Sequence, residues 1–246
     1  MNYKLRVAAG IIILLQLFSC SAGMDCLDSA GTAVSYEMTV AEFTSINISE
    51  GIELVITEGP ERKVVVETGE NLQGTITAVA EGGTLSISNT GSCNWARDYN
   101  TTRVYVTTPH LEKIYSASQF AVRSDGILRF PTLVIQSGLS AETASGTFEL
   151  EVDCGNLIVE DNQSAYYHIT GAAENLTVNF YSGDARFDGS SLIAEKVNVF
   201  HRSSNDIIVN PQQEVKGTIY STGNLVLKHL PPVVEVEELY TGAVIF

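Results

Sequence analysis

The sequence has few basic residues. Its 246 residues include 14 Lys and Arg against 29 Asp and Glu, which gives a formal net charge of −15. Lys4 and Arg6 lie near the N-terminus, so the chain after residue 20 keeps 12 basic residues and carries −17. Proteins bind phosphate backbones mainly through Lys and Arg side chains that displace counterions. This composition argues against nucleic acid as a partner and disfavours close contact with anionic lipid surfaces.

A hydrophobic run long enough to span a membrane is also missing at the N-terminus. The apolar run at residues 7–18 has twelve residues, whereas a bilayer core requires about 20. Because Lys4 and Arg6 precede this run and a cysteine follows it, residues 1–20 are predicted to be a secretory signal peptide. The last residues resemble a bacterial lipobox: Leu17, Phe18, Ser19 and Cys20. An uncleaved anchor or a signal cut elsewhere is the alternative.

Lipidation at Cys20 would give a stable membrane anchor. Each buried methylene contributes about 0.8 kcal/mol, and two acyl chains suffice for lasting attachment. Residues 21–35 contain few large apolar side chains and include Gly23 and Gly31, which predicts a flexible tether between the lipid and the fold. We therefore expect a cell-envelope protein anchored in the outer membrane, on either its periplasmic or its exposed side.

Cysteines are few, and none is placed for metal binding. Once Cys20 is assigned to lipid, three remain, namely Cys26, Cys93 and Cys154. An odd number in an exported protein leaves at least one thiol unpaired or intermolecular. Cys26 and Cys93 are a candidate disulfide that would tie the tether to the body. The sequence has no C-x-x-C pair and no histidine at ligand spacing from a cysteine, so we expect no zinc site.

No window of the chain shows a sustained helical period. Apolar and polar residues instead alternate in short runs rich in Val, Ile and Thr, which is the signal of half-buried strands. We assign residues 36–110 to an N-terminal β subdomain and residues 111–246 to shorter, more regular strands. The predicted strands of the first region lie at 43–48, 52–56, 63–67, 84–88 and 103–106. Those of the second region lie at 111–115, 133–135, 148–152, 157–159, 176–180, 197–200, 207–209, 225–227 and 244–246.

A short sequence motif recurs in the second region. It is Tyr or Gln followed by Ser or Thr, with Gly next or one residue later in four of the five copies. It begins at Tyr115, Gln136, Tyr181, Tyr220 and Tyr240, and these positions differ by 21, 45, 39 and 20. The differences are one or two multiples of a unit of roughly twenty residues, a period typical of solenoids. The prediction is an all-β, right-handed parallel β-helix or solenoid whose rungs have roughly twenty residues. A β-sandwich of antiparallel hairpins is the alternative, although its strands require no fixed period.

In stacked coils, equivalent residues lie above one another. Four tyrosines of the motif are therefore expected to form a ladder of rings: Tyr115, Tyr181, Tyr220 and Tyr240. Contacts between offset rings add about 0.5 to 1.5 kcal/mol per pair beyond area burial. The competing interpretation is an aromatic face that binds sugar.

Several segments of the chain resemble the head GIN domain family of auto-transporter adhesins, which is common in lipoproteins of the Bacteroidetes. The resemblance covers about residues 40–246. It rests on the order of segments 43–48, 51–56, 83–87 and 104–114, the serial Ser-Gly corners and the ending at 220–246. It implies a right-handed β-solenoid on the cell envelope with an adhesin-like role, and it brings no catalytic residues. This chain departs from the usual Ser-Gly-Ser-Gly corners, for example at Ser116-Ala117-Ser118.

Candidate catalytic groups are dispersed. Asp184 and Asp188 flank Arg186, but residues four apart on a strand lie about 13 Å apart, whereas glycosidases separate their carboxyl groups by about 5 to 9.5 Å. Glu160 and Asp161 are adjacent and should point to opposite faces. No phosphate-binding loop, dinucleotide fingerprint or nucleophile elbow occurs, so we expect no cofactor.

These observations predict a lipid-anchored envelope protein with a non-catalytic binding or structural role and a glycan or protein partner. A glycan-active β-helix enzyme, similar to polysaccharide lyases and hydrolases, is the first alternative. A periplasmic accessory or sensory module is the second.

Overall fold

The computed structural model describes residues 30–91, 102–140 and 145–246. Strands make up 63% of these described residues and helix 3%. The one helical element of the described residues is a 3-10 helix at Glu70–Thr75. The strands, in chain order, are β1 Ala33–Met38, β2 Ser45–Ile48, β3 Glu53–Glu58, β4 Lys63–Gly69, β5 Ile76–Glu81, β6 Thr84–Asn89, β7 Arg103–Thr108, β8 Lys113–Ser116, β9 Val122–Leu128, β10 Thr132–Ser137, β11 Thr147–Asp161, β12 Tyr166–Phe180, β13 Arg186–His201, β14 Ile207–Ile219, β15 Leu225–Leu227, β16 Val233–Glu238 and β17 Val244–Ile245.

The strands stack in two walls that enclose a narrow core. The first wall contains, in stacking order, β6, β2, β8 and β10, then the C-terminal halves of β11 to β14, and finally β16. The second wall contains β7, β3 and β9, then the N-terminal halves of β11 to β14, and finally β15 and β17. All these pairings are parallel, and the coil makes about six turns with strands about 21 residues apart. The predicted β-solenoid is confirmed, and the antiparallel sandwich is not formed.

Strands β11 to β14 run from one wall into the other. The sequence predicted separate short strands at 148–152 and 157–159, whereas both belong to β11. They are continuous because the ladder with β12 carries on through the corner, where Asp153 pairs with Ala172 and Cys154 with Ala173. Side chains alternate between core and surface on each side of the corner, and the alternation shifts by one residue at Gly155 and Asn156, so that Cys154 and Leu157 both face the core.

The first rung of the chain is not at the end of the stack. Strand β2 lies between β6 and β8, since Ile46 is in register with both Leu85 and Ile114. Strand β3 likewise lies between β7 and β9, with Leu54 beside Val104 and Val122. The rung formed by β2 and β3 is therefore inserted between two rungs that come later in the chain.

The two ends of the stack are built differently. At the N-terminal end, β5 pairs antiparallel with β6, while β4 pairs antiparallel with both β7 and β1. Strand β1 begins at Ala33, which is inside the range 21–35 that was expected to be a tether. Residues 33–35 are ordered as a strand because they pair with β4. At the other end, β16 and β17 are the last strands of their walls.

Aromatic rings fill the core of the middle rungs. Phe148 and Tyr167 occupy the same register position on adjacent rungs, and their rings stack at 4.8 Å with an interplanar angle of 9°. The equivalent residue on the next rung is Phe187, which is also fully buried. Rows of equivalent buried residues are what a solenoid needs to hold successive coils together.

Candidate binding surface

A group of partly exposed aromatic rings lies where the first wall meets a corner. We call it the aromatic strip, and it consists of Tyr181, Phe200 and Tyr220. The Phe200 ring lies 5.7 Å from that of Tyr181 and 4.9 Å from that of Tyr220, with tilts of 45° and 42°. Tyr181 is 36% exposed and Tyr220 41%. The strip therefore offers aromatic surface to solvent from a rigid sheet.

The geometry explains how the recurring tyrosines are arranged. Backbone hydrogen bonds place Tyr181, Arg202 and Tyr220 at equivalent positions of three successive rungs. The spacing of 39 residues between the tyrosines is two rungs, so Arg202 lies between them and Phe200 joins their rings from the neighbouring row. Phe200 lies in the predicted strand at 197–200. The only feature of the sequence that indicates an outward-facing Phe200 ring is the alternation with Val199, which is buried.

The other two tyrosines of the predicted ladder lie apart from the strip. The Tyr115 hydroxyl, on β8, accepts a hydrogen bond of 3.0 Å from the Ser140 backbone N–H. Tyr240 follows β16 and is 66% exposed. The structure thus brings together two of the four tyrosines, through a phenylalanine.

Polar groups border the aromatic strip. The Tyr181 hydroxyl donates a hydrogen bond of 2.6 Å to Glu160 Oε1, and Gln136 Nε2 donates one of 2.5 Å to Glu160 Oε2. Burial, followed by the contact with Glu160, raises the pKa of Tyr181 to about 12. Burial alone would raise the pKa of Glu160, but hydrogen bonds from Tyr181, Gln136 and Asn179 hold it below its usual value. Glu160 is therefore an anionic acceptor beside exposed rings.

A second cluster, on the opposite wall, is ionic. The Glu53 side chain is only 2% exposed, and it accepts hydrogen bonds from Arg103 Nη2 at 3.0 Å and from Arg123 Nη1. Arg123 Nε also donates to Glu149 Oε2 at 2.7 Å. Sequence reasoning missed this cluster because its members come from strands β3, β7, β9 and β11, which are distant along the chain.

The carboxylates weighed as catalytic groups do not form a pair. The Asp188 carboxylate lies 4.0 Å from His168 Nδ1 and accepts the Ser190 backbone N–H, whereas Asp184 bonds the Asn205 side chain through its backbone carbonyl. Arg186 lies over the Tyr166 ring at 5.7 Å. No group of three or more His, Cys, Asp or Glu within residues 30–91, 102–140 and 145–246 is arranged to hold a metal ion.

Glu160 and Asp161 point to opposite sides of the sheet, as expected. Asp161 is fully buried at an inward corner position that Ser137 and His201 occupy on other rungs. His201 is also buried, and its Nε2 donates to the Asn224 carbonyl at 3.2 Å. Burial lowers the pKa of His201, so this imidazole is neutral at pH 7.

The predicted lipidation and disulfide sites cannot be placed in the fold. Cys20, Cys26 and Cys93 lie outside the described residues. Cys154 is a free, buried thiol, and burial raises its pKa to about 11. Within the described part of the chain, no helix is both long enough and apolar enough to cross a membrane.

Two concave surfaces of the described residues are shallow clefts of modest size. One of about 310 Å³ is lined by Ala33, Glu67 and Arg103, and one of about 320 Å³ by Glu58, Pro60 and Arg129. These volumes are at the lower limit of the roughly 300–1,000 Å³ typical of small-molecule sites. Both clefts are open to solvent and are not deep pockets.

Comparison with known proteins gives a family and a fold. A family model described as "Putative auto-transporter adhesin, head GIN domain" matches residues 42–231. No match was found among curated proteins.

Solved structures with the same fold come from species of Bacteroides and Parabacteroides. A "putative adhesin" from Bacteroides fragilis has a TM-score of 0.78 at 17% identity, covering 87% of this chain and 96% of its own. A "putative lipid binding protein" from Parabacteroides distasonis has a TM-score of 0.67 at 15% identity, with 89% and 99% covered. A "putative adhesin" from Parabacteroides merdae has a TM-score of 0.60 at 16% identity, with 89% and 98% covered. At these identities, the likeness shows the fold alone.

Proposed function

Because this chain belongs to the head GIN domain family of auto-transporter adhesins, we propose that it is a lipid-anchored, non-catalytic protein of the cell envelope that binds glycans. The proposal combines an anchor at Cys20 with a binding surface at the aromatic strip. Its location is the outer membrane.

The observation that carries the binding role is the exposed aromatic strip. Tyr181 and Tyr220 present ring surface at low conformational cost, since each has only two side-chain torsions, and the sheet fixes their spacing. Exposed rings beside hydrogen-bonding groups favour ligands that have both apolar C–H faces and hydroxyls. Sugars have both, and Glu160 provides an anionic acceptor for hydroxyl donors.

The charge of the protein narrows the ligand class. The chain after residue 20 carries a formal charge of −17, which opposes the approach of polyanions. At the strip itself, the negative charge of Glu160 is offset by exposed Arg202, which lies between the two tyrosines. We therefore propose neutral glycans, rather than sulfated or phosphorylated ones, as the ligands.

The test of binding is a glycan array with the lipid-free protein that starts at Ser21, followed by titration of the best neutral glycan. We expect Tyr181→Ala and Tyr220→Ala each to weaken binding about tenfold, a loss equivalent to about 1.4 kcal/mol. Tyr240→Ala, which removes an exposed ring outside the strip, is the control and should leave affinity unchanged. Equal binding by all variants would contradict the proposed surface, and cleavage products would favour the glycan-active enzyme.

Anchoring is tested separately in cells. Replacing Cys20 with Ala should move the protein from the membrane to the soluble fraction and abolish incorporation of labelled fatty acid. Cys26→Ala is the matched control and should remain in the membrane fraction. Unchanged fractionation of the Cys20 variant would contradict the lipid anchor without affecting the glycan result.

A further inference from the structure

The C-terminal end of the solenoid is exposed and apolar. Of the eleven large hydrophobic side chains that are exposed in the described residues, six lie after residue 229: Leu230, Val234, Leu239, Tyr240, Ile245 and Phe246. Clusters of exposed apolar side chains commonly mark interaction sites. At the opposite end of the stack, antiparallel strands cover the last parallel rungs.

Strand β16 has a neighbour on one side only. In the described chain its register is with β14 alone, from Glu214 opposite Val233 to Ile219 opposite Glu238. An edge strand of this kind presents unpaired backbone groups that can accept another strand. Addition of an extended segment to such an edge is a recurring mode of peptide recognition.

The two faces of β16 define what a further strand must look like. On the inward face, Val234 continues the buried row formed by Val197 and Val215. A strand added beyond β16 would cover Val234 and the next inward residue, Val236, if its own inward residues were apolar. Apolar residues at every second position of the incoming segment are therefore required.

The outward face of β16 is acidic. Glu235 lies opposite Lys216 of β14, and Lys216 Nζ is 3.3 Å from Glu235 Oε2 and 2.8 Å from Glu214 Oε2. Glu237 follows on the same face and is exposed. The charge at this outward position thus changes from positive at Lys216 of β14 to negative at Glu235 of β16. A basic residue at the same position of an added strand would continue the alternation of charge. Opposite charges on directly paired strands stabilise a sheet, and like charges destabilise it.

A second copy of this chain fits the edge poorly. If two β16 strands paired antiparallel about Val236, Glu235 of one copy would lie opposite Glu237 of the other. Centring the pair on Glu235 or Glu237 would set that residue opposite itself. The acidic edge therefore disfavours self-association.

We propose that β16 is a strand-addition site for an extended segment of a partner protein in which apolar residues alternate with Lys or Arg. The inward residues of the segment extend the apolar core, and its basic residues contact Glu235 and Glu237. This proposal does not rest on the glycan-binding role of the aromatic strip.

The probe is a labelled peptide of alternating Val and Lys, eight residues long, titrated into the lipid-free protein by fluorescence anisotropy. We expect saturable binding that the double variant Glu235→Lys, Glu237→Lys weakens at least tenfold. The same variant should gain affinity for a peptide of alternating Val and Glu. The double variant Glu61→Lys, Glu81→Lys, at exposed positions before β4 and on β5, changes the net charge equally and should bind as the unaltered protein does.

A second peptide separates strand addition from simple charge attraction. Methylation of alternate backbone nitrogens leaves the charge unchanged but removes donors to the edge, and it should abolish binding. Equal affinity for the methylated peptide, or no binding of either peptide, would overturn the proposal. A dimer detected by light scattering would also overturn the proposal if Val236→Pro converted it to a monomer. The occupant of the edge would then be a second copy of this chain.

Discussion

The hydroxyl of Tyr167 donates a hydrogen bond of 2.8 Å to Asp161 Oδ2 inside the core, where both residues are fully buried. Asp161 Oδ1 also accepts the Gln163 backbone N–H at 2.5 Å. Burial outweighs these hydrogen bonds and raises the pKa of Asp161 from 3.8 to about 6. The corner therefore depends on a carboxyl group that titrates in a mildly acidic range.

The raised pKa predicts how stability depends on pH. A carboxyl group whose pKa is higher in the folded state binds more protons there, so its contribution is complete below about pH 4 and is lost as pH rises through about 6. Asp161→Asn removes this titration. We compare the free energies of unfolding of the unaltered protein and of the variant. Their difference should fall by about 2.5 kcal/mol between pH 4 and 7.

The measurement is urea unfolding of both proteins at several pH values. Other carboxyl groups titrate in both proteins and cancel in the difference. A difference that stays constant with pH would mean that Asp161 ionises normally in the fold.

The buried Glu53 predicts a charge effect on stability. Glu53→Gln leaves Arg103 and Arg123 without their shared carboxylate. Because both arginine side chains are over 40% exposed, solvent reduces the loss. We expect destabilisation of about 2 kcal/mol, below the roughly 3–5 kcal/mol for a fully buried pair. Glu42→Gln removes an exposed ion pair with Arg62 and should change stability by under about 0.5 kcal/mol. Equal effects in thermal or urea unfolding would contradict this interpretation.

Successive rungs approach so closely at Gly171 that we expect a glycine to be required there for stability. Gly171 has a φ of +104°, and a Cβ there would lie 2.1 Å from the Val152 carbonyl oxygen. Gly126 has a φ of +87° but open space around its Cβ position. Gly126→Ala should cost about 1–2 kcal/mol for the left-handed backbone, and Gly171→Ala should cost about 1–3 kcal/mol more for the clash. Similar unfolding free energies for the two variants would show that the rungs can move apart.

The aromatic strip predicts measurable coupling between its rings. A double-mutant cycle with Phe200→Leu and Tyr220→Leu should give a coupling energy of about 0.5–1.5 kcal/mol. Tyr36 lies on β1 in the N-terminal cap, so Phe200→Leu and Tyr36→Leu should be additive. Additivity of the first pair as well would mean that the 4.9 Å contact contributes nothing to stability.

The sequence predicted the repeating part of the fold better than its beginning. Stacked rungs repeat at about 21 residues, so the spacing of Tyr115, Gln136 and Tyr181 was sufficient evidence for a solenoid. The position of β2 and β3 within the stack was not predictable, because parallel neighbours are chosen by core packing and not by order in the chain.

The site residues were predictable only in part. Tyr181 and Tyr220 stood out by repetition, whereas Phe200 belongs to no recurring motif. The contact of Glu53 with Arg123 joins residues 70 positions apart, and no local pattern indicates such a pair. Side chains that meet across strands become visible only when the register is known.

The inserted first rung has a consequence for the order of folding. Leu54 pairs with Val104 and Val122, which are 50 and 68 residues further along the chain, whereas later rungs pair across about 21 residues. Contacts between distant residues form slowly because long loops must close first. The rung that leaves the ribosome first is therefore among the last to be completed. Until β9 arrives, β3 is an apolar strand with a free edge, and this interval is when the chain is most prone to aggregate or to need a chaperone.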